Sequence, residues 1–148
     1  MTAAELEVQV QRLDPAAAVP VYAHEGDAGV DLRAAADAVV EPGARSLVPT
    51  GLKMAIPRGW EGQVRPKSGL ALKHGISVLN TPGTVDSSYR GEVGVIVINH
   101  DPHAAYTIRK GEKIAQMVFC RVERVRFREV RELDATGRGE GGFGSTGV

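Results

Sequence analysis

Apolar residues in this chain come in short runs, and Gly or Pro breaks the sequence between them before an amphipathic helix could complete a few turns. The runs are "LEVQVQRL", "GVDLRA", "RSLVP", "LKMAIP", "WEGQVRP", "ISVLN", "EVGVIVINH", "AYTIRK", "KIAQMVFCRV" and "VRFREV". Turn signals stand between them at Glu41-Pro42-Gly43, Pro57-Arg58-Gly59, Thr81-Pro82-Gly83 and Asp101-Pro102. This spacing predicts an all-β chain folded as a sandwich, jelly roll or barrel. One stretch, "KSGLALKHG", has a helical character, with Ser68 expected to cap a short turn and Gly75 to end it. The run "EVGVIVI" from Glu92 to Ile98 is nearly continuous apolar, which predicts burial on both faces and a second covering surface. In a chain of 148 residues, the size of one domain, another copy of the same chain is the natural cover.

Charge narrows the partners. The 18 basic and 18 acidic residues cancel, so no broad attraction to nucleic acid or an anionic membrane is expected, and any phosphate site must be local. The N-terminal "MTAAELEVQVQRL" lacks the basic start and apolar block of a signal peptide, and no run approaches the ~20 apolar residues of a membrane span. The expectation is a cytoplasmic protein. Cys120 is the only cysteine, so no internal disulfide can form, and "AQMVFCRVE" reads as a buried structural strand.

Four segments carry polar groups that strands do not require. In "HEGDAGVDLRA", Asp27 suits a turn, and Asp31 sits on the approach to a strand. "RPKSGLALKHG" places Arg65, Lys67 and Ser68 beside Gly69, a set that suits an anion as well as a capped turn with solvated cations. In "LNTPGTVDSSYRGE", Asp86 between Val85 and Ser87 fits an Asx turn, and equally a carboxylate able to deprotonate a water. The C-terminal "GRGEGGFGSTGV", with six glycines in twelve residues, matches G-x-G-x-x-G in three registers but lacks the flanking strand and helix of a dinucleotide fingerprint. Composition describes a disordered end. Yet Arg138 offers a phosphate fork, Phe143 a flat face for a base, and the glycines free backbone N–H groups, so the segment could also close over a nucleotide. His100 and His103 have a metal-compatible spacing but no third ligand, which predicts a solvated loop, and Trp60 reads as a core or interface anchor.

Taken in order, "HEGDAGVDLRA", "RPKSGLALKHG", "GTVDSSYRGEV", "RKGEKIAQMVF" and "RGEGGFGSTG" resemble the five motifs of the trimeric deoxyuridine triphosphate nucleotidohydrolases, the dUTPases, from about His24 to the end. The resemblance implies a jelly-roll-like subunit in a homotrimer with three interfacial active sites, where the arm of one subunit closes over a site built by the other two. It implies hydrolysis of dUTP to dUMP and pyrophosphate with Mg²⁺ on the phosphates, which supplies dUMP for dTMP synthesis and keeps uracil out of DNA. It divides the chain into a catalytic body, 1–136, and an arm, 137–148.

By the same resemblance, Asp86 is the carboxylate that activates the attacking water, Asp31 supports the Mg²⁺ hydration shell without direct ligation, and Arg138 holds the γ-phosphate. Lys67, Ser68, Gly69 and Gln116 contact phosphate. Asn80 and the backbone of Gly83, Thr84 and Val85 read the uracil edge, and Tyr89 packs under the deoxyribose. Phe143 stacks on uracil, with Gly144, Ser145 and Thr146 beside it adding phosphate contacts. Many relatives carry arginine where this chain has Lys67, which keeps the charge but loses the bidentate fork. Two other readings stand beside this one: a deoxycytidine triphosphate deaminase, and a catalytically silent nucleotide-sensing or protein-binding β-domain.

Overall fold

The structure, a computed structural model, describes residues 5–147, so the first four residues of the expected body and Val148 of the expected arm lie outside the described residues. Among the described residues ten strands and one short helix follow in order: β1 (Gln9–Arg12), β2 (Val30–Arg33), β3 (Ala38–Val40), β4 (Arg45–Ala55), β5 (Trp60–Arg65), α1 (Ser68–His74), β6 (Ile76–Val78), β7 (Gly83–Val85), β8 (Glu92–Asn99), β9 (Tyr106–Ile108) and β10 (Lys113–Arg121). They form two four-stranded antiparallel sheets, ordered β1-β4-β8-β6 and β2-β10-β5-β7, with β3 and β9 as a small third. The fold is all-β and jelly-roll-like. Alternation supplies the core: Val48, Leu52 and Met54 of β4 and Val93, Val95 and Val97 of β8 meet Leu32, Val64 and Met117 of the other sheet.

The expected strands "RSLVP" and "LKMAIP" are one continuous β4. Its register against β8 shifts between Pro49 and Lys53, and Gly51 takes φ +70°, a conformation that a side chain resists. The kink keeps its polar groups satisfied, because the Gly51 N–H donates to Glu92 Oε1 (2.8 Å) and the Thr50 hydroxyl donates to the Val93 carbonyl (2.6 Å).

Within one chain only one face of "EVGVIVI" is fully buried. Val93, Val95, Val97 and Asn99 are fully covered, whereas Gly94, Ile96 and Ile98 are half-buried, and Leu47 opposite Ile96 is 69% exposed. The strand obeys period-2 alternation, and its outer row is apolar without a cover from its own chain. Asn99 is the buried polar residue of this strand, with its amide donating to the Val40 and Ala104 carbonyls at 2.9 and 2.8 Å.

Helix α1 ends at Gly75 in the left-handed conformation as expected, but Lys67 is the N-cap, with no side-chain hydrogen bond, and Ser68 is the first helical residue. "VRFREV" forms no strand: the Val122 N–H donates to the Gly59 carbonyl (2.9 Å), and beyond it the described residues extend without a sheet partner, leaving Val125 70% and Phe127 92% exposed. Cys120 is half-buried on β10. Trp60 packs against the core, with the Arg121 guanidinium 5.0 Å from its ring centroid. His100 and His103 lie in an exposed turn closed by Asp101 Oδ1, which accepts from the His103 and Ala104 N–H groups. Among the described residues no helix is long and apolar enough to cross a membrane.

Candidate active site

Antiparallel register assembles the first polar cluster. Gln116 on β10 lies opposite Asp31 of β2 on one side and Arg65 of β5 on the other, so these three side chains form one row on the same face of the sheet. Glycine at position 29 leaves room for Gln116 at this row, since a Cβ there would lie 2.6 Å from Gln116 Oε1 and the glutamine side chain would have to shift. The Gln116 amide donates to the Pro66 carbonyl (2.9 Å), which ties β10 to the start of α1 and holds Lys67 at the row. Lys67 Nζ bonds Asp31 Oδ1, and Lys113 Nζ reaches Oδ2 at 2.9 Å. The expected residues of three separate motifs, Asp31, Lys67 and Gln116, thus meet, with Ser68 and Gly69 exposed beside them on the first turn of α1.

Asp31 is the electrostatic centre of this cluster. Burial, the largest influence, raises its pKa, but the hydrogen bonds and charges of Lys67 and Lys113 together outweigh it and hold the carboxyl below its ordinary 3.8. A depressed carboxylate stabilises the fold in full above its unfolded value and loses that contribution as pH falls through the folded one. The stability difference between wild type and Asp31→Asn should therefore be constant at neutral pH and shrink as pH drops below 3.8. Chemical denaturation of both proteins across that range checks this, and a difference that stays constant into acid would contradict it.

A second cluster forms around the hairpin after β6. Strand β7 pairs with β5 through Gly62↔Val85, Gln63↔Thr84 and Val64↔Gly83, and the Asn80 side chain lies against Gly83. Asp86, the next residue, is exposed, and with Glu61, Thr84, Ser87 and Arg58 it lines an open cavity of about 400 Å³. A smaller cavity of about 170 Å³ joins Asp86 to Tyr89, Glu92 and Gly94. The Tyr89 hydroxyl donates to the Glu92 carbonyl at 2.9 Å, so its ring is fixed beside Asp86, whose own carbonyl accepts the Tyr89 N–H.

These clusters occupy different ends of one sheet. Asp86 falls beside Glu61, four residues along β5 from Arg65, or roughly 13 Å at the usual ~3.3 Å per strand residue. The intervening face carries a polar ladder in which Arg65 donates to Gln63 Oε1 and Gln63 donates to Glu61 Oε1 (2.6 Å). The glycine-rich segment meets neither cluster: Arg138 Nε donates to the Gly141 carbonyl (2.8 Å), the backbone bonds from Thr136 to Gly147 are internal, and Phe143 is fully exposed. Arg138, Phe143, Gly144, Ser145 and Thr146 are therefore not brought to the other expected site residues within one chain. Lys113 was not singled out in the sequence; its position three residues before Gln116 in the same motif was the available signal.

The sequence model of the dUTPase family matches residues 16–147. The chain belongs to the dUTPase family. It is 54% identical over 140 residues to the deoxyuridine 5'-triphosphate nucleotidohydrolase of Nocardia farcinica, covering 95% of this chain and 85% of that protein. The enzyme of the same name from Clostridium kluyveri is 53% identical over 143 residues, covering 97% and 99% of the two chains. Among solved structures, the dUTPase of Staphylococcus bacteriophage 80alpha with dUPNHPP superposes with a TM-score of 0.89 at 29% identity, covering 96% of this chain and 99% of that one. As a dUTPase this chain is a hydrolase, a dUTP diphosphatase. The segments that resemble dUTPase motifs lie at its two sheet-end clusters and its tail.

Proposed function

We propose that this dUTPase works as a cytoplasmic homotrimer that hydrolyses dUTP to dUMP and pyrophosphate, with Asp86 of one subunit, the Asp31–Lys67–Gln116 cluster of a second and the arm of a third completing each site. The observation that carries this reading is the separation within one chain: the phosphate-type cluster and Asp86 stand at opposite ends of a sheet, and the tail reaches neither. Further support comes from the uncovered apolar surface. Leu47 and Ile96 line the outer face of the β4–β8 pair, Gly94 of that face borders the Asp86 cavity, and Phe127 and Leu133 stand exposed on a stretch with no sheet partner. A copy docked on that face would cover apolar area worth ~25 cal/mol per Å² and would enclose Asp86 at the seam.

In this reading Asp86 takes a proton from a water as its oxygen bonds to the α-phosphorus, while the bond from that phosphorus to the bridging oxygen breaks and pyrophosphate leaves. Phosphoryl chemistry of this kind depends chiefly on positioning and charge neutralisation. Lys67 and Gln116, with Ser68 and Gly69, hold phosphate oxygens, and Lys67, lacking the arginine fork, holds them with looser geometry. Among the described residues no group of three or more His, Cys, Asp or Glu could cage a metal ion. A single carboxylate between two ammonium groups instead suits Mg²⁺ that draws its ligands from phosphate and water, with Asp31 accepting hydrogen bonds from that water. When bound, the ion neutralises charge on the phosphates.

The hairpin of Asn80 and the Gly83–Val85 backbone presents fixed donors and acceptors to a uracil edge, and a cytosine there would leave buried groups unpaired. In this reading Tyr89 packs under the deoxyribose and leaves no room for a 2′-hydroxyl, a role supported by its hydroxyl's bond to the Glu92 carbonyl, which fixes the ring beside Asp86. The arm, residues 137–148 beyond a body of 1–136, would close with Arg138 on the γ-phosphate, Phe143 over uracil, and Gly144, Ser145 and Thr146 lining the phosphates. Incubating the purified protein with dUTP or dCTP and Mg²⁺, while following pyrophosphate and ammonia separately, tests the reaction. Pyrophosphate from dUTP without ammonia from dCTP is expected. Ammonia from dCTP would identify a deaminase, and no product from either would identify a silent module.

A further inference from the structure

Two ammonium groups share one carboxylate at the Asp31 cluster. Lys67 bonds one oxygen and Lys113 the other, and neither lysine has another carboxylate partner among the described residues. Side-chain exposure rises outward along this set, from 16% at Asp31 to 28% at Lys67 and 41% at Lys113, so Lys113 stands at the rim where a ligand would enter. The trio carries one net positive charge and leaves donor capacity on both ammonium groups, since each has three N–H bonds. A polyphosphate chain offers several anionic oxygens, against two on Asp31, and lysine's flexible stem lets its charge change partners without moving the backbone.

We propose that Lys113 is a further triphosphate-binding residue, held by Asp31 and transferred to phosphate when nucleotide enters. Asp31 is then a placeholder as well: its carboxylate keeps both lysines extended into the site, and their departure frees its oxygens for the water shell of a bound cation. This rests on reading the Asp31–Lys67–Gln116 row as the triphosphate cradle. The competing role for Lys113 is a structural clamp that joins the start of β10 to β2 through Asp31 alone.

Calorimetric titration of full-length wild type, Lys113→Gln, Lys67→Gln, Asp31→Asn and the Asp31→Asn/Lys113→Gln double variant with dUPNHPP in EDTA, with dUMP as control, separates these roles. Lys113→Gln should weaken dUPNHPP about 10-fold, the scale of one charge-assisted hydrogen bond, and change dUMP affinity less than about twofold. The same loss should persist in the Asp31→Asn background, because the contact is made to phosphate. Loss of the effect in that background would show that Lys113 acts only on Asp31 and would overturn the proposal. Unchanged binding by Lys113→Gln, with Lys67→Gln weakened, would overturn it as well. If neither lysine variant affects dUPNHPP, the cradle reading itself fails.

Discussion

Replacing Asp86 by Asn should lower kcat by at least ~10²-fold, the usual scale for loss of a general base, while the affinity for dUPNHPP stays within a few-fold of wild type. The substitution keeps shape and removes only the charge that accepts the proton. Asp86 is exposed on the hairpin and makes no side-chain hydrogen bond or ion pair among the described residues, so the fold should not register the change. Single-turnover hydrolysis with excess enzyme checks the chemical step apart from binding. A variant with near-normal turnover would remove Asp86 from this role.

Deleting the residues after Thr136 should reduce turnover by ~10³-fold or more, the scale on which a phosphate-binding arginine donated across an interface contributes to phosphoryl transfer. Among the described residues the deleted segment donates no backbone hydrogen bond to the β-sheets, its bonds from Gly139 to Gly147 being local. Thermal unfolding and the sedimentation of the assembly should therefore match those of the full chain. Arm closure excludes water and strengthens the remaining charge contacts, which is why the expected loss exceeds that of a single hydrogen bond. Normal dUTP hydrolysis by the truncated protein would contradict a catalytic arm.

The strands that the sequence announced are those whose residues alternate over several positions. β8 and β10 are each long enough for inward Val, Ile and Met to recur, with Gly/Pro turns on both sides of β8 and Gly111 ahead of β10. β3 and β7, at three residues each, are too short to show a period and exist because a neighbouring strand supplies the hydrogen bonds. The single β4 was hidden by Gly51, which looks like a break but acts as a bulge once Glu92 and Thr50 satisfy the kink. "VRFREV" misled in the opposite direction: it alternates as a strand does, yet the chain provides no edge for it. Its pattern is consistent with a partner in another copy, a contact that a single chain cannot display.

At the site, the motif letters pointed to Asp31, Lys67 and Gln116, and strand register explains why residues so distant in sequence touch. The electrostatics were less legible. That two lysines rather than one grip Asp31 depends on the start of β10 facing Arg33 of β2, a register that spacing alone does not give. Separation of Asp86 from this cluster was likewise invisible until the strands were aligned.

The most direct test is complementation between two inactive chains. Asp86→Asn protein with an intact arm, co-expressed in equal amounts with arm-deleted protein that keeps Asp86, should regain about a quarter of wild-type activity, because random trimers pair a good base with an arm from another subunit in that share of sites. Each variant alone should stay inactive. If Asp86 and the arm of the same chain serve one site, no chain carries both, so no site is complete and the mixture would show no recovery.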